Sequence, residues 1–506
     1  MKIYSLRSYF ELLDEAGLLT DYKITDGTAA VEFVTYDSKR ARPGTLFVCK
    51  GAAFREEYLT EAIGKSAVCY LSEKKYDAAV SDFLLVSDVR AAMALLADFF
   101  YDKAYEKLRL TGITGTKGKS TTAYYIKYIL DEYLQSIHEK PSGIISSIDV
   151  YDGIVFKESH LTTPEALELH EHFDNAVRSG LQYMTMEVSS QALKYDRVDG
   201  VRFDAGVFLN ISEDHISPVE HSDFEDYFSS KLKLFSQCSF AAINLGTDHR
   251  DRVLKAARAC PEIVTFGIYE DADICGYDVR KEGDEIRFRV RTAEFDEEFL
   301  LTMPGLFNVE NALAAIAVCR HYGIPLEAMQ AGLAKARSKG RMEIFSNSDS
   351  SVIAIVDYAH NKLSFEKLYQ SITEEYPGRS IITVFGCPGG KAYNRRVELA
   401  LLAGKYSSKV YLTMEDPGKE PVDKISREIR SNIGNPACEC FLIEDRGEAI
   451  MQAIFDAEPG SILLVTGKGD ETRQKIGSEY VPCQPDTYFV EKALASADRT
   501  LLRQIP

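Results

Sequence analysis

The sequence predicts an α/β protein of three consecutive units, the middle one a parallel sheet that carries a phosphate-binding loop. Three observations lead there. The chain has 506 residues, more than one ordinary hydrophobic core can organise, and 45% of them are hydrophobic, enough to fill several cores. Short apolar runs such as TLFVCKG, YMTMEVSS and SILLVTGKG alternate with helical stretches along the whole chain, as strands joined by helical crossovers do. One junction, LRLTGITGTKGKSTTAYYIKYIL, sets a glycine-rich loop between a strand and a helix.

Residues 1–107 combine short apolar runs with helical patterns and form a small first unit. Residues 108–340 form the central unit, with apolar strands at GIISSI, YMTMEVSS, DAGVFLNI and SFAAINL. Polar and apolar residues alternate over 262–303, which predicts antiparallel hairpins appended to the central sheet, and the helix NVENALAAIAVCRHYG follows. Residues 341–506 repeat the strand–helix alternation and form a third, Rossmann-like unit.

Charge and cysteine usage narrow the function. With 59 basic against 77 acidic residues the net charge is −18, which disfavours nucleic acid or an anionic membrane as partner, so an anionic substrate needs a local basic pocket. The ten cysteines lack zinc-knuckle spacing and read as reduced thiols. The first residues, MKIYSLRSYFELLDEAGLL, carry acids unlike a secretory leader, and no run approaches the ~20 apolar residues of a membrane span. A cytoplasmic, monomeric protein without membrane insertion is expected.

In the run TGITGTKGKST (111–121), Gly115, Thr116, Lys117 and Gly118 form a turn whose amides can cradle phosphates at a helix N-terminus. Lys119 is placed to neutralise the β- and γ-phosphates of ATP, and Ser120 or Thr121 to hold Mg2+. The pattern GxxxxGKS/T is not met strictly, because Ile113 occupies the first glycine position.

Further along lie LTTP (161–164), MEVSSQAL (186–193), FLNISEDH (208–215), GLFNVEN (305–311), VDYAH (356–360) and GKGDE (467–471). Together with TGTKGKS, these motifs resemble the Mur ligases, in particular those that add the third residue of the stem peptide. KGAAF (50–54) and EHSDFEDYF (220–228) look most like the lysine-adding enzymes of streptococci. The resemblance spans roughly residues 34–490 in consistent order. It implies ATP-dependent ligation of a diamino acid to UDP-N-acetylmuramoyl-L-alanyl-D-glutamate through an acyl phosphate, during peptidoglycan synthesis. Glu187 and His215 match magnesium ligands of the family, with Ser120 completing the set. Alone, such a histidine is more often structural. Lys231 aligns with a lysine carried as a carbamate, and Lys233 is its rival in register. Asn311, Arg341 and Asp357 match positions near the base and ribose of ATP, while Ser38, Thr162, Thr163, Ser190 and Arg197 match the UDP-substrate side.

For the incoming amino acid the resemblance points to the third unit, with Arg396 on the α-carboxylate and Gly467 and Glu471 near an amine. Diaminopimelate-adding relatives carry Asp-Asn-Pro-Arg in the recognition loop. Here it reads Glu415-Asp416-Pro417-Gly418. A cation is lost and Asp416 adds an anion, so lysine is expected to be favoured, with diaminopimelate (through Lys419) and ornithine as alternatives. A folylpolyglutamate synthase-like ligase and a non-catalytic nucleotide-binding module are the rival readings. The first lacks LTTP and EVSSQAL, and the second needs a broken phosphate loop.

Overall fold

The computed structural model describes residues 3–51, 54–77, 82–214, 216, 220–283 and 285–503, with side chains as far as 497. The N-terminal sheet contains β1 (Leu19–Lys23), β2 (Phe33–Thr35), β3 (Thr45–Val48), β4 (Ala67–Ser72) and β5 (Phe83–Val86). Their order is β1-β5-β4-β3-β2, parallel except for β1.

The central sheet is built from β6 (Arg109–Thr114), β7 (Gly143–Ile145), β8 (Asp149–Tyr151), β9 (Phe156–Glu158), β10 (Tyr183–Glu187), β11 (Phe203–Phe208), β12 (Cys238–Asn244), β13 (Glu262–Ile268), β14 (Ile274–Glu282), β15 (Glu285–Arg291) and β16 (Asp296–Leu301). They run in the order β9-β8-β7-β10-β6-β11-β12-β13-β14-β15-β16. The interior strands are parallel and buried on both faces, which is why they read as continuous apolar runs. One face packs α1 (Lys119–Ser136) and α3 (Asn308–His321) through Ile126, Ile129, Ala312 and Ile316. The other packs α2 (Phe224–Leu232) through Tyr227 and Phe228. Alanines at 312, 314, 315 and 317 keep α3 slim enough to be buried nearly all round.

The 262–303 expectation needs correcting in part. Only β14, β15 and β16 are antiparallel, whereas β13 runs parallel to β12 because the helix Arg250–Ala257 supplies a crossover before it. At the far edge an antiparallel hairpin, β8–β9, was not anticipated.

The C-terminal sheet comprises β17 (Glu343–Ser346), β18 (Ile353–Asp357), β19 (Ser380–Phe385), β20 (Lys409–Leu412), β21 (Glu439–Leu442) and β22 (Ser461–Thr466), in the order β17-β18-β22-β19-β20-β21, parallel from β18 on. The helix α4 (Asn394–Tyr406) follows β19, and a hairpin of β23 (Arg473–Ile476) and β24 (Glu479–Pro482) follows β22.

Candidate active site

Strand register assembles the site. Glu187, the last residue of β10, lies opposite Ile113 of β6, and Phe208, the last of β11, lies opposite Thr114. All three strands therefore deliver their carboxyl ends to the loop 115–118, the edge where parallel sheets bind ligands. Gly118 precedes α1 at φ +87, and a Cβ there would collide with Asn311 Oδ1, so a larger residue would be strained and would displace Asn311.

Three lysines converge on this loop. Lys119 Nζ folds back to donate to the carbonyls of Gly115 at 3.0 Å and Thr116 at 3.2 Å. Lys231 Nζ, buried, donates to the same Gly115 carbonyl at 2.9 Å. Lys117 Nζ stands 3.5 Å from Asp214 Oδ2. Burial disfavours the charged form of all three: Lys117 is brought down to about 8, Lys119 is lowered, and Lys231 is lowered well below the usual range by burial and by Lys119. Among the described residues Lys231 donates to one carbonyl and lies over the Tyr227 ring, and Asp214 does not offset its burial, so its amine is the most readily neutral. Lys233 donates instead to the Leu193 carbonyl at 3.2 Å.

Glu187, 1% exposed, accepts from the Ser147 amide at 2.8 Å, and Ser147 Oγ lies 3.0 Å from Ser120 Oγ. Carboxylate and hydroxyl thus share one wall and offer hard oxygen donors, a set that fits Mg2+. The expected third ligand, His215, lies outside the described residues. Thr163 is interior; it donates to the Glu187 carbonyl at 2.9 Å and accepts from the Ser189 amide at 3.0 Å, fixing the strand end that carries the acid.

The opposite wall comes from the C-terminal sheet. Asp357 ends β18 and accepts from the amides of Ala359 at 2.7 Å and Met342 at 3.0 Å, while burial raises its pKa. Arg341 reaches Ser120 Oγ at 3.4 Å and lies over the Tyr358 ring at 4.6 Å. Asn311, on α3, accepts from Thr122 Oγ1 at 3.4 Å. Residues 116–121, Thr162, Glu187, Asn311, Arg341 and Asp357 line one cleft of about 290 Å3.

Two residues quoted above within FLNISEDH close this cleft without having been given a role. Asn210 clasps the Lys117 backbone by accepting from its amide at 2.8 Å and donating to its carbonyl at 3.1 Å. Asp214 joins Lys117 to Arg395, at 3.4 Å, and to Asn361 of the C-terminal unit.

Beyond Arg341 and Tyr358 opens a second cavity of about 330 Å3, lined by Lys157, Glu158, Lys468 and Glu471 among others. Here two expectations are corrected. Asp416 is no uncompensated acid, because its Oδ1 accepts from Lys468 Nζ at 3.0 Å and from the Lys475 amide at 2.9 Å. Arg396 presents no open fork to a substrate carboxylate; it is 2% exposed and taken up by Glu420 at 2.7 Å, by Glu428 and by the Pro388 carbonyl at 3.3 Å. Its neighbour Arg395 faces the cleft instead, since consecutive residues of a helix point about 100° apart.

Gly467 has φ +109, and a Cβ there would collide with the Glu415 carboxylate. That carboxyl is pushed up to about 7 by burial, against the pull of Arg446. A carboxyl with a raised folded pKa binds its proton more tightly when folded, so stability falls as pH rises through the interval from 4.5 to about 7. Relative to Glu415→Gln, the wild-type chain should gain on the order of 1–3 kcal/mol as pH is lowered from about 8 to about 5. Denaturant melts of both proteins at the two pH values check this, and a pH-independent difference would refute it.

In the N-terminal unit, Ser38 belongs to a cavity of about 520 Å3 lined by residues 33–40, Tyr58, Tyr101, Glu168 and Glu171, and donates to Glu61 at 2.6 Å. Between this cavity and the phosphate loop, Arg197 pairs with Glu165 at 3.0 Å and donates to the Thr163 carbonyl at 3.2 Å. Lys50 pairs with the same Glu165 at 2.5 Å, so two cations share one acid and leave an excess of positive charge. Ser190 Oγ lies 3.0 Å from His221 Nε2.

A phosphate-loop sheet faces a second α/β sheet across a lysine-rich cleft with a charged side cavity, an arrangement that fits an ATP-dependent ligase. The chain matches the Mur ligase middle domain over residues 113–319 and the Mur ligase, glutamate ligase domain over residues 340–469. It is 37% identical to a UDP-N-acetylmuramyl-tripeptide synthetase of Bifidobacterium longum over 91% of each chain. It is also 37% identical to a UDP-N-acetylmuramoyl-L-alanyl-D-glutamate--L-lysine ligase of Streptococcus pyogenes over 94% of each chain. The chain belongs to the Mur ligase family. The fold is shared with a solved UDP-N-acetylmuramoyl-L-alanyl-D-glutamate--2,6-diaminopimelate ligase, with a TM-score of 0.66 at 22% identity over 98% of this chain and 99% of that one. It is shared too with MurF of Thermotoga maritima in complex with ADP, with a TM-score of 0.62 at 17% identity over 94% and 99%.

Proposed function

We propose that this chain joins L-lysine to the terminal carboxylate of UDP-N-acetylmuramoyl-L-alanyl-D-glutamate, splitting ATP to ADP and phosphate, as a step of peptidoglycan precursor assembly. The reading rests on one observation above all: the phosphate-loop cleft and the Glu471 cavity adjoin and share Ser147, Arg341 and Tyr358. A nucleotide in the first and an amine in the second would meet at that boundary. The lysine-adding relative, matched over 94% of each chain, supports lysine as the amine.

The substrate carboxylate attacks the γ-phosphorus and ADP leaves; the amine then attacks the acyl phosphate and phosphate leaves. The first step brings two anions together, so positioning and charge neutralisation matter more than covalent help. Lys117, Lys119 and Arg341 supply that charge from the protein. Mg2+, held by Ser120, Glu187 and His215, would add to it at the phosphate oxygens. Lys231 is read as a carbamate: its neutral amine adds CO2 and releases a proton, giving an anion that attracts Lys119 where a protonated amine would repel it.

Ser38 and its cavity are assigned to the UDP end of the substrate, and Thr162, Ser190 and Arg197 to its sugar–peptide part. The spans 1–107, 108–340 and 341–506 serve as the UDP-substrate, ATP and amino-acid units, each holding one of the three large sheets. No described helix is long and apolar enough to cross a membrane. A cytoplasmic site of action accords with that and with a UDP-linked substrate.

Competitive ligation with L-lysine, L-ornithine and meso-diaminopimelate at equal concentration, read by product mass, tests the assignment. L-lysine should exceed diaminopimelate by at least about tenfold, since a second carboxylate would lie beside the acid Glu471, whose neighbour Lys468 is already engaged. Faster use of diaminopimelate would move the assignment to that amino acid and make Lys419 its candidate clamp.

A further inference from the structure

Lys468, a buried cation that lines the amino-acid cavity, bridges Glu471 to Asp416 of the 415–418 loop. It sits 3% exposed just beyond β22, and its ammonium donates to Asp416 Oδ1 at 3.0 Å, to Glu471 Oε2 and to the Arg473 carbonyl at 2.8 Å. An ammonium has three N–H bonds, and all three are used. It therefore has no donor left for a substrate carboxylate. Burial alone would lower its pKa, but Glu471 and Asp416 more than offset that and hold it above the usual lysine value, so it is charged.

The two acids it joins are 55 residues apart in sequence, on different loops. Glu471 is held from its other oxygen by the Tyr358 hydroxyl at 2.5 Å. Asp416 adopts left-handed backbone at φ +47, a conformation that aspartate tolerates better than most residues, and also accepts from the Lys475 amide at 2.9 Å. Its Oδ2 takes no hydrogen bond among the described residues. Without Lys468 two carboxylates would face one another, and one would have to protonate or move away.

We propose that Lys468 is a positioning residue that determines amino-acid specificity: it clasps the 415–418 loop to Glu471 and sets the charge of this corner at one net negative, matched to a single side-chain ammonium. Two acids and one lysine leave that balance. A substrate cation completes it, whereas a second substrate carboxylate placed there would face two acids and a lysine whose N–H bonds are all used. The inference rests on the ligase reading given above.

The test compares wild type, Lys468→Met, Lys468→Arg, Asp416→Asn and the double variant Lys468→Met/Asp416→Asn by steady-state kinetics with each substrate varied. Lys468→Met should raise KM for L-lysine on the order of tenfold to a hundredfold, with KM for ATP within about twofold. Lys468→Arg, which keeps the charge, should recover most of that loss. The double variant should be better than Lys468→Met alone, because removing one acid restores the single negative charge. A packing role alone would move melting temperature and not this pattern. If Lys468→Met melts without cooperativity, Asp416→Asn decides: it should shift the ratio of lysine to diaminopimelate use toward diaminopimelate, and an unchanged ratio overturns the proposal. An unchanged KM for lysine in folded Lys468→Met overturns it equally. Failure of the wild-type protein to ligate any diamino acid would instead overturn the ligase reading.

Discussion

Lys119→Ala should lose at least about a thousandfold in ligation rate while melting near the wild-type temperature. The lysine opens α1 and bonds only loop carbonyls, so its removal leaves the core on both faces of the central sheet untouched. What disappears is a cation folded onto the phosphate-binding turn, at the step where carboxylate and γ-phosphate repel one another. The paired measurements are phosphate release with all three substrates present and a thermal melt. Wild-type turnover in a folded Lys119→Ala protein would refute the phosphate-loop assignment, whereas loss of the cooperative melt would show that Lys119 acts on the fold.

Lys231→Ala should be almost as severe, for a different reason. Its amine is buried beside Lys119 and held far below its usual pKa, so it is available as the neutral nucleophile that carbamylation requires. Alanine cannot form a carbamate, and excess bicarbonate should not restore turnover. Short carboxylic acids such as acetate should restore part of it by placing an anion in the vacated volume. Intact-protein mass of the wild-type chain, prepared under CO2 and trapped by alkylation of the carbamate, should carry the added group at Lys231. Full activity of Lys231→Ala, or trapping at Lys233 alone, would contradict this.

The central sheet was readable because parallel strands covered on both faces are unbroken apolar runs, and the glycine loop sits where one of them meets a helix. Several residues expected on the ATP side line one cleft for a related reason: Lys119 and Ser120 open a helix and Glu187 and Asp357 end strands, so local context fixes which edge of the sheet they occupy. Arg396 was misread because adjacent residues of α4 face different sides, and nothing local says which side meets the cleft. Lys231 and Lys233 pose the same problem: α2 ends at Leu232, so Lys231 reaches the Gly115 carbonyl while the following 3-10 turn sends Lys233 to the Leu193 carbonyl, a difference that no local pattern announces. Asp416 was misread for want of a partner 52 residues away, a pairing that no local pattern encodes.

Gly418 shows a further limit. Its φ is +58 and its amide bonds the Lys475 carbonyl at 3.1 Å, so the diaminopimelate-type arginine cannot be placed there without strain of about 1–2 kcal/mol. Converting this loop toward diaminopimelate therefore requires rebuilding its backbone, and Asp416→Asn is the cleaner single change.

The account depends on transfer of a phosphoryl group to the substrate carboxylate before the amine attacks. UDP-N-acetylmuramoyl-L-alanyl-D-glutamate bearing 18O in both oxygens of its terminal carboxylate, incubated with the wild-type chain, ATP and L-lysine, tests this directly. One 18O atom should appear in phosphate for each tripeptide product formed, the other remaining in the new amide carbonyl. Product formed with unlabelled phosphate, or ATP hydrolysed with no tripeptide at all, would contradict it.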